Sequence, residues 1–136
     1  MEYLIGVGLA VVVCAFGRLA GFDRDRVFYP TLAIVVASYY ILFAAMGRST
    51  SALVLESVIA CGFVALAVAG FKKNLWFVVA ALVGHGVFDF LHHLFIANPG
   101  VPVWWPGFCL SFDVLAGAFL TVLLMRRSAF HGLSPH

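Results

Sequence analysis

Residues 75–97 read LWFVVAALVGHGVFDFLHHLFIA, a run of 23 residues with no Lys or Arg. At ~1.5 Å of rise per residue, a helix of this length crosses a hydrocarbon core ~30 Å thick. Outward from it, runs of similar length and character lie at 3–21, 27–46, 52–71 and 107–125. The breaks between them are turn or charge clusters: Gly21-Phe-Asp-Arg-Asp-Arg26, Gly47-Arg-Ser-Thr-Ser51, Lys72-Lys-Asn74 and Asn98-Pro-Gly-Val-Pro-Val-Trp-Trp-Pro106. The sequence thus predicts an all-α integral membrane bundle of five transmembrane helices. Short connections make consecutive helices antiparallel neighbours. Residues 1–127 form a single domain in this reading, and 128–136 a short cytoplasmic tail.

Composition agrees. Of 136 residues, 64% are hydrophobic and 10% charged, with a mean hydropathy of +1.09, more apolar surface than one small soluble core could bury. The basic residues sit between apolar runs rather than on one face, which argues against a nucleic-acid partner. Cys14, Cys61 and Cys109 lie in separate apolar runs and are odd in number, so free thiols are expected rather than a disulfide framework.

Lys and Arg also set an expected orientation, because cytoplasmic loops carry their excess. In a five-helix arrangement Arg18, Arg24, Arg26, Lys72, Lys73, Arg126 and Arg127 fall on one side and Arg48 alone on the other. The N-terminus and the 47–51 and 98–106 loops are therefore expected outside and the C-terminus inside. The first run begins with Glu2 rather than a basic residue, in the manner of an N-out anchor rather than a cleaved signal peptide. Trp104 and Trp105 then fall in the outer aromatic belt and Trp76 in the inner one.

Ionisable groups inside membrane helices are rare unless they are paired or functional. Here the fourth run carries His85, Asp89, His92 and His93, the fifth Cys109 and Asp113, and the third Glu56. At ~100° per residue, Asp89 lies ~40° from His85, His92 ~20° to its other side and His93 ~80° away, so all four share a face. Counted from the outer helix ends at ~1.5 Å per residue, Glu56 is ~6 Å deep, His93 ~6 Å, His92 ~8 Å, Asp113 ~9 Å, Asp89 ~12 Å and His85 ~18 Å. An aqueous opening beneath the Pro-rich 98–106 segment is the natural companion of such a layer.

Imidazole and carboxylate donors at i, i+4 suit a divalent metal, zinc ahead of iron. The expected ligands are Asp89, His93 and Asp113, with His92 or Glu56 as a fourth. His85 stands outside them or on a second ion, because a rise of ~10 Å separates it from His92. Glu56 or Asp89 would be the catalytic carboxylate that takes a proton from metal-bound water. The expected function is a metal-dependent membrane enzyme, a hydrolase of a lipid or other amphiphile reached from the outer side. The alternative is a non-enzymatic metal- or proton-handling protein, or an accessory subunit whose His–carboxylate hydrogen bonds pin helices three, four and five together. Membrane lipid is the expected surrounding, and so thin a bundle is compatible with a homodimer or a larger membrane complex. Bis-His haem is disfavoured because all the intramembrane histidines lie on one helix.

The run His85-Gly-Val-Phe-Asp89-Phe-Leu-His92-His93, followed by Asn98-Pro99, Pro102, Pro106, Cys109 and Asp113-Val-Leu-Ala116, resembles the signature of a family of small bacterial integral membrane proteins designated domain of unknown function 6010. The resemblance covers roughly residues 52–120, including Glu56, and departs from the usual pattern at Phe88, where the family often has Trp. It implies a small helical bundle in a bacterial cytoplasmic membrane with these polar positions in common, and it names no reaction. The orientation has a direct check: a cysteine placed in the 98–106 loop is expected to react with a membrane-impermeant thiol reagent on intact cells, and protection there would invert the topology.

Overall fold

A computed structural model describes residues 1–131, and among them the long elements are five α-helices. They are α1 (Glu2–Ala20), α2 (Phe28–Met46), α3 (Thr50–Lys72), α4 (Trp76–Leu91) and α5 (Trp105–His131). Each is long and apolar enough to cross a membrane when the 3₁₀ turn His92–Leu94 is counted with α4. The protein is an all-helical bundle with five membrane-spanning helices. α5 runs through Arg126 and Arg127 without a break, so the expected boundary at 127 has no counterpart in the helix. Residues 132–136 of the expected tail lie outside the described residues.

Local chemistry accounts for the helix ends. Gly21 closes α1 in the left-handed conformation at φ +80°, which glycine adopts without the Cβ clash other residues meet. The Ser49 hydroxyl caps α3 by accepting from the Ala52 N–H, and Asn74 Oδ1 accepts from the Trp76 N–H at the start of α4. Pro30 and Pro106 fall in first helical turns, where no intrahelical N–H is needed.

α4 packs on α5 and α3 and touches α2; α1 covers α5, and α2 covers α3. The interior is built from small and medium residues such as Ala10, Ala33, Ala67, Val78, Ala81, Leu82, Ala116 and Leu120. Small residues matter here because lipid is as apolar as a side chain, so helices associate through close packing. Large side chains such as Leu4, Val12, Phe16, Leu19, Val58 and Met125 point outward. That distribution fits lipid rather than water as the surrounding medium.

The two ends differ in charge, as the loop pattern requires. At one end Arg26 donates to the Gly70 and Phe71 carbonyls and Arg127 to the Asp23 carbonyl, tying the 21–26 connection to the ends of α3 and α5. At the other end Asn98 donates to the Tyr40 carbonyl, and Gly100 lies against Phe43 and Gly47.

Two further features differ from expectation: α1 packs on α5 rather than beside α2, the neighbour expected from their short connection, and the fourth helix ends early. The apolar run to residue 97 does not continue as one helix: α4 stops at Leu91, and the chain turns through His92–Leu94. Ile96 then packs between Ala44 of α2 and Ala52 of α3, and Asn98 is anchored to both of those helices. These tertiary contacts outweigh the continuing apolar pattern.

α1 and α5 meet closely at Gly6, where a Cβ would stand 2.1 Å from Ser111 Oγ and 2.5 Å from the Phe108 carbonyl oxygen. Two residues on, Gly8 has nothing within 4 Å. Gly6→Val is expected to destabilise the detergent-solubilised protein by about 1–3 kcal/mol, while Gly8→Val stays within about 0.5 kcal/mol. Equal thermal shifts in the two variants would contradict this packing.

Candidate metal centre

Two polar groups lie inside the bundle. The first joins α4 to α5. His85 and Asp89 stand one turn apart on α4, and Gly86 between them leaves room for α5, since a Cβ there would meet Asp113 Cβ at 3.0 Å. Asp113 is thereby brought under the imidazole. His85 Nδ1 is 2.7 Å from Asp113 Oδ2 and 3.3 Å from Asp89 Oδ2. All three side chains are buried, the two aspartates completely. Each offers one donor atom, and those atoms lie within 4.8 Å of one another. The ring of Phe63 meets His85 edge-on at a centroid distance of 4.9 Å, and Cys109 is buried beside Asp89.

This group is short of hydrogen-bond donors. Oδ1 of Asp113 is buried without a hydrogen-bond partner among the described residues, and Asp89 makes no well-aligned hydrogen bond there, having only His85 Nδ1 at 3.3 Å and the weak Cys109 thiol donor beside it. Buried carboxylates in low dielectric are costly unless matched by donors or opposite charge. A neutral imidazole and two carboxylates would be balanced by one divalent cation, and such donors are those that zinc accepts.

The second group joins α3 to the turn after α4. His92 Nε2 is 2.6 Å from Glu56 Oε1, and Asn98 Nδ2 donates to that same oxygen at 3.0 Å and to the Tyr40 carbonyl at 3.2 Å. The Tyr40 ring lies over His92 at 4.4 Å between centroids and reaches towards His85 at 6.3 Å. Here the carboxylate has two partners, so this group is held together by its own hydrogen bonds.

A cavity of about 520 Å³ opens beneath the Pro-rich segment, lined by His92, His93, Asn98, Pro102 and Pro106, with Tyr3 from α1. It lies where the sequence places an opening. Its wall reaches His92 and does not include His85, Asp89 or Asp113.

The structure groups these residues differently from the spacing along the helix. His85, expected outside the ligand set or on a second ion, is the imidazole that meets both aspartates. His93, expected beside Asp89, is exposed at the cavity. The reason is the early end of α4: the i, i+4 relation of Asp89 and His93 assumes a helix that has tightened into a 3₁₀ turn by residue 92. His92 and Glu56, each weighed as a fourth ligand, bond to one another. Counted depths also separate His85 from Asp113 by ~9 Å, although the two are in contact. α5 starts two residues earlier than expected, at Trp105, which recovers ~3 Å. The earlier end of the fourth span, at Leu94 rather than residue 97, recovers a further ~4.5 Å, and packing sets the little that is left.

Asn98 enters the sequence reading only through the resemblance and a loop cluster, and Asp23 only through a charged loop. Asn98 stands in a turn-forming cluster and Asp23 in a charged loop, patterns that read as solvated connections. The one available signal for Asp23 is an oppositely charged Arg18 five residues earlier. Comparison with family models, with curated proteins and with solved structures finds no match for the chain.

The contrast between His92 and His93 is measurable. Glu56→Ala removes the partner of a buried imidazole and is expected to cost about 3 kcal/mol of stability in detergent, whereas His93→Ala costs no more than about 0.5 kcal/mol. The reverse order in chemical unfolding would refute the assigned pairing.

Proposed function

We propose that the protein is a metal-dependent integral membrane enzyme in which His85, Asp89 and Asp113 hold one divalent cation, zinc in preference to iron. The observation that supports this is a pair of buried carboxylates gathered around one imidazole in the bundle interior, with fewer well-aligned donors than acceptors. A group serving only to pin helices together would be expected to draw donors to its carboxylate, as Glu56 draws His92 and Asn98 to Oε1. Three protein donors match the number that catalytic zinc sites use and fall short of the four of structural ones.

A bound zinc ion supplies a water whose pKa is lowered to ~7. The chain's own contribution is to hold the imidazole between two carboxylates, to keep bulk water out and to provide a proton acceptor. That acceptor is Asp89, which has a second oxygen left over when the first is used as a donor; Glu56 is engaged by His92 and Asn98. The substrate class is a lipid ester or amide, or another amphiphile, approaching from the side of the cavity under the 98–106 segment, whose wall stops at His92, in a bacterial cytoplasmic membrane. Membership of the family of small bacterial membrane proteins rests on the run from His85 to Ala116 and belongs to the same proposal.

A second reading is supported by the enclosure of the three side chains: a non-enzymatic metal- or proton-handling protein, in which the cation or proton is stored or passed rather than used. Elemental analysis of the purified protein in detergent separates a metal site from none. Wild type is expected to carry about one equivalent of metal, and Asp89→Asn and Asp113→Asn to bind it at least ~100-fold more weakly, beyond the ~10–100-fold typical of outer-shell substitutions. His93→Ala retains the metal. A folded wild type that takes up no zinc or iron sinks both metal readings. Hydrolysis of lipid esters or amides by the loaded protein, absent in Asp89→Asn, then distinguishes the enzyme from the carrier.

A further inference from the structure

At the cationic end, away from the candidate metal centre, a groove of about 430 Å³ lies between α1 and α5. Its wall is apolar, with Leu19, Phe119 and Val122, and Arg18 and Arg126 stand in its lining. Asp23, from the turn after α1, also lines it and is only 3% exposed. One Asp23 oxygen, Oδ2, accepts from Arg18 Nη1 at 3.1 Å, and the backbone carbonyl accepts from Arg127 at 2.8 Å. The other oxygen, Oδ1, is buried with no hydrogen-bond partner among the described residues. Asp23 thus keeps one unmatched acceptor just behind the wall of a groove whose lining also includes Arg18 and Arg126.

We propose that this groove binds a phospholipid with an ethanolamine headgroup. The apolar wall on the lipid-facing side of α1 and α5 takes part of an acyl chain. Arg18 and Arg126 meet the phosphate, for which guanidinium is well suited. The ammonium, one two-carbon arm from the phosphate, donates to Asp23 Oδ1. Each part of the headgroup thus meets its electrostatic complement. A choline headgroup has the same charges and no N–H, so it leaves Oδ1 unsatisfied. A glycerol headgroup offers hydroxyl donors, and an ionised carboxylate gains more from a cationic donor. Free phosphate would use the arginines and leave both the apolar wall and Asp23 without a role. The proposal is independent of the metal reading, since no residue is shared.

The test is titration of the whole chain in detergent, followed by native mass spectrometry, with phosphatidylethanolamine, its mono- and dimethylated derivatives, phosphatidylcholine, phosphatidylglycerol and inorganic phosphate. All lipids carry the same acyl chains. Ethanolamine lipid is expected to bind about tenfold more tightly than choline lipid, the scale of one charge-assisted hydrogen bond. The loss should come at the last methylation, because the dimethyl headgroup still has one N–H. Asp23→Asn should erase the ethanolamine-over-choline preference, and Arg126→Gln should weaken every phospholipid alike. Equal binding of ethanolamine and choline lipids overturns the proposal, as does tightest binding of the glycerol lipid or of phosphate alone. Should Asp23→Asn fail to fold, the methylation series on the wild-type chain decides.

Discussion

An ionised side chain surrounded by hydrocarbon must find its counter-charge or its hydrogen bonds inside the protein, and the interior of this bundle is arranged around that constraint. Among the described residues, the acids and imidazoles Asp23, Glu56, His85, Asp89, His92 and Asp113 are buried. Glu56 and His92 meet the constraint between themselves, with Asn98 as a further donor. The group of His85, Asp89 and Asp113 meets it only in part, because two carboxylates share one imidazole. Unequal satisfaction separates a helix-pinning pair from a candidate binding site, although both are built from the same residue types.

The early end of α4 is what keeps the two groups apart. A helix continued to residue 97 would place Asp89, His92 and His93 along one stripe. Instead, the chain turns at His92, folds Ile96 and Asn98 back onto α2 and α3, and leaves His93 at the cavity. His92 is then drawn to α3 through Glu56, while His85 and Asp89 remain facing α5. Tyr40 stands beside both imidazoles, with its hydroxyl buried and unpartnered among the described residues, so the two groups are neighbours without merging.

The two ends of the bundle carry different chemistry. At one, a cavity lies under a proline-rich segment with two histidines in its wall. At the other, arginines cross-link the helix ends through backbone carbonyls, and a groove combines apolar wall, guanidinium and a carboxylate. Guanidinium groups bonded to carbonyls at helix ends satisfy acceptors that the helix itself leaves open, so the cationic end owes part of its cohesion to the residues that also set its charge.

Helix number, helix type and the separation of cations to one end were legible in the sequence, because they depend on the length of apolar runs and on which residues interrupt them. Those quantities are local: ~20 apolar residues make a span whatever their neighbours are. The residues of the candidate site were legible as a set, since an acid or imidazole in an apolar run stands out by type alone. Their partition was not. Whether His85 meets Asp113, whether His93 faces Asp89 or the cavity, and whether Glu56 stands near a metal or against His92 depend on the relative height and rotation of α3, α4 and α5. Contacts far apart in the chain fix these, such as Gly86 against Asp113 and Asn98 against Tyr40. Periodicity along one helix carries no information about its level against another, and only the packed bundle decides it.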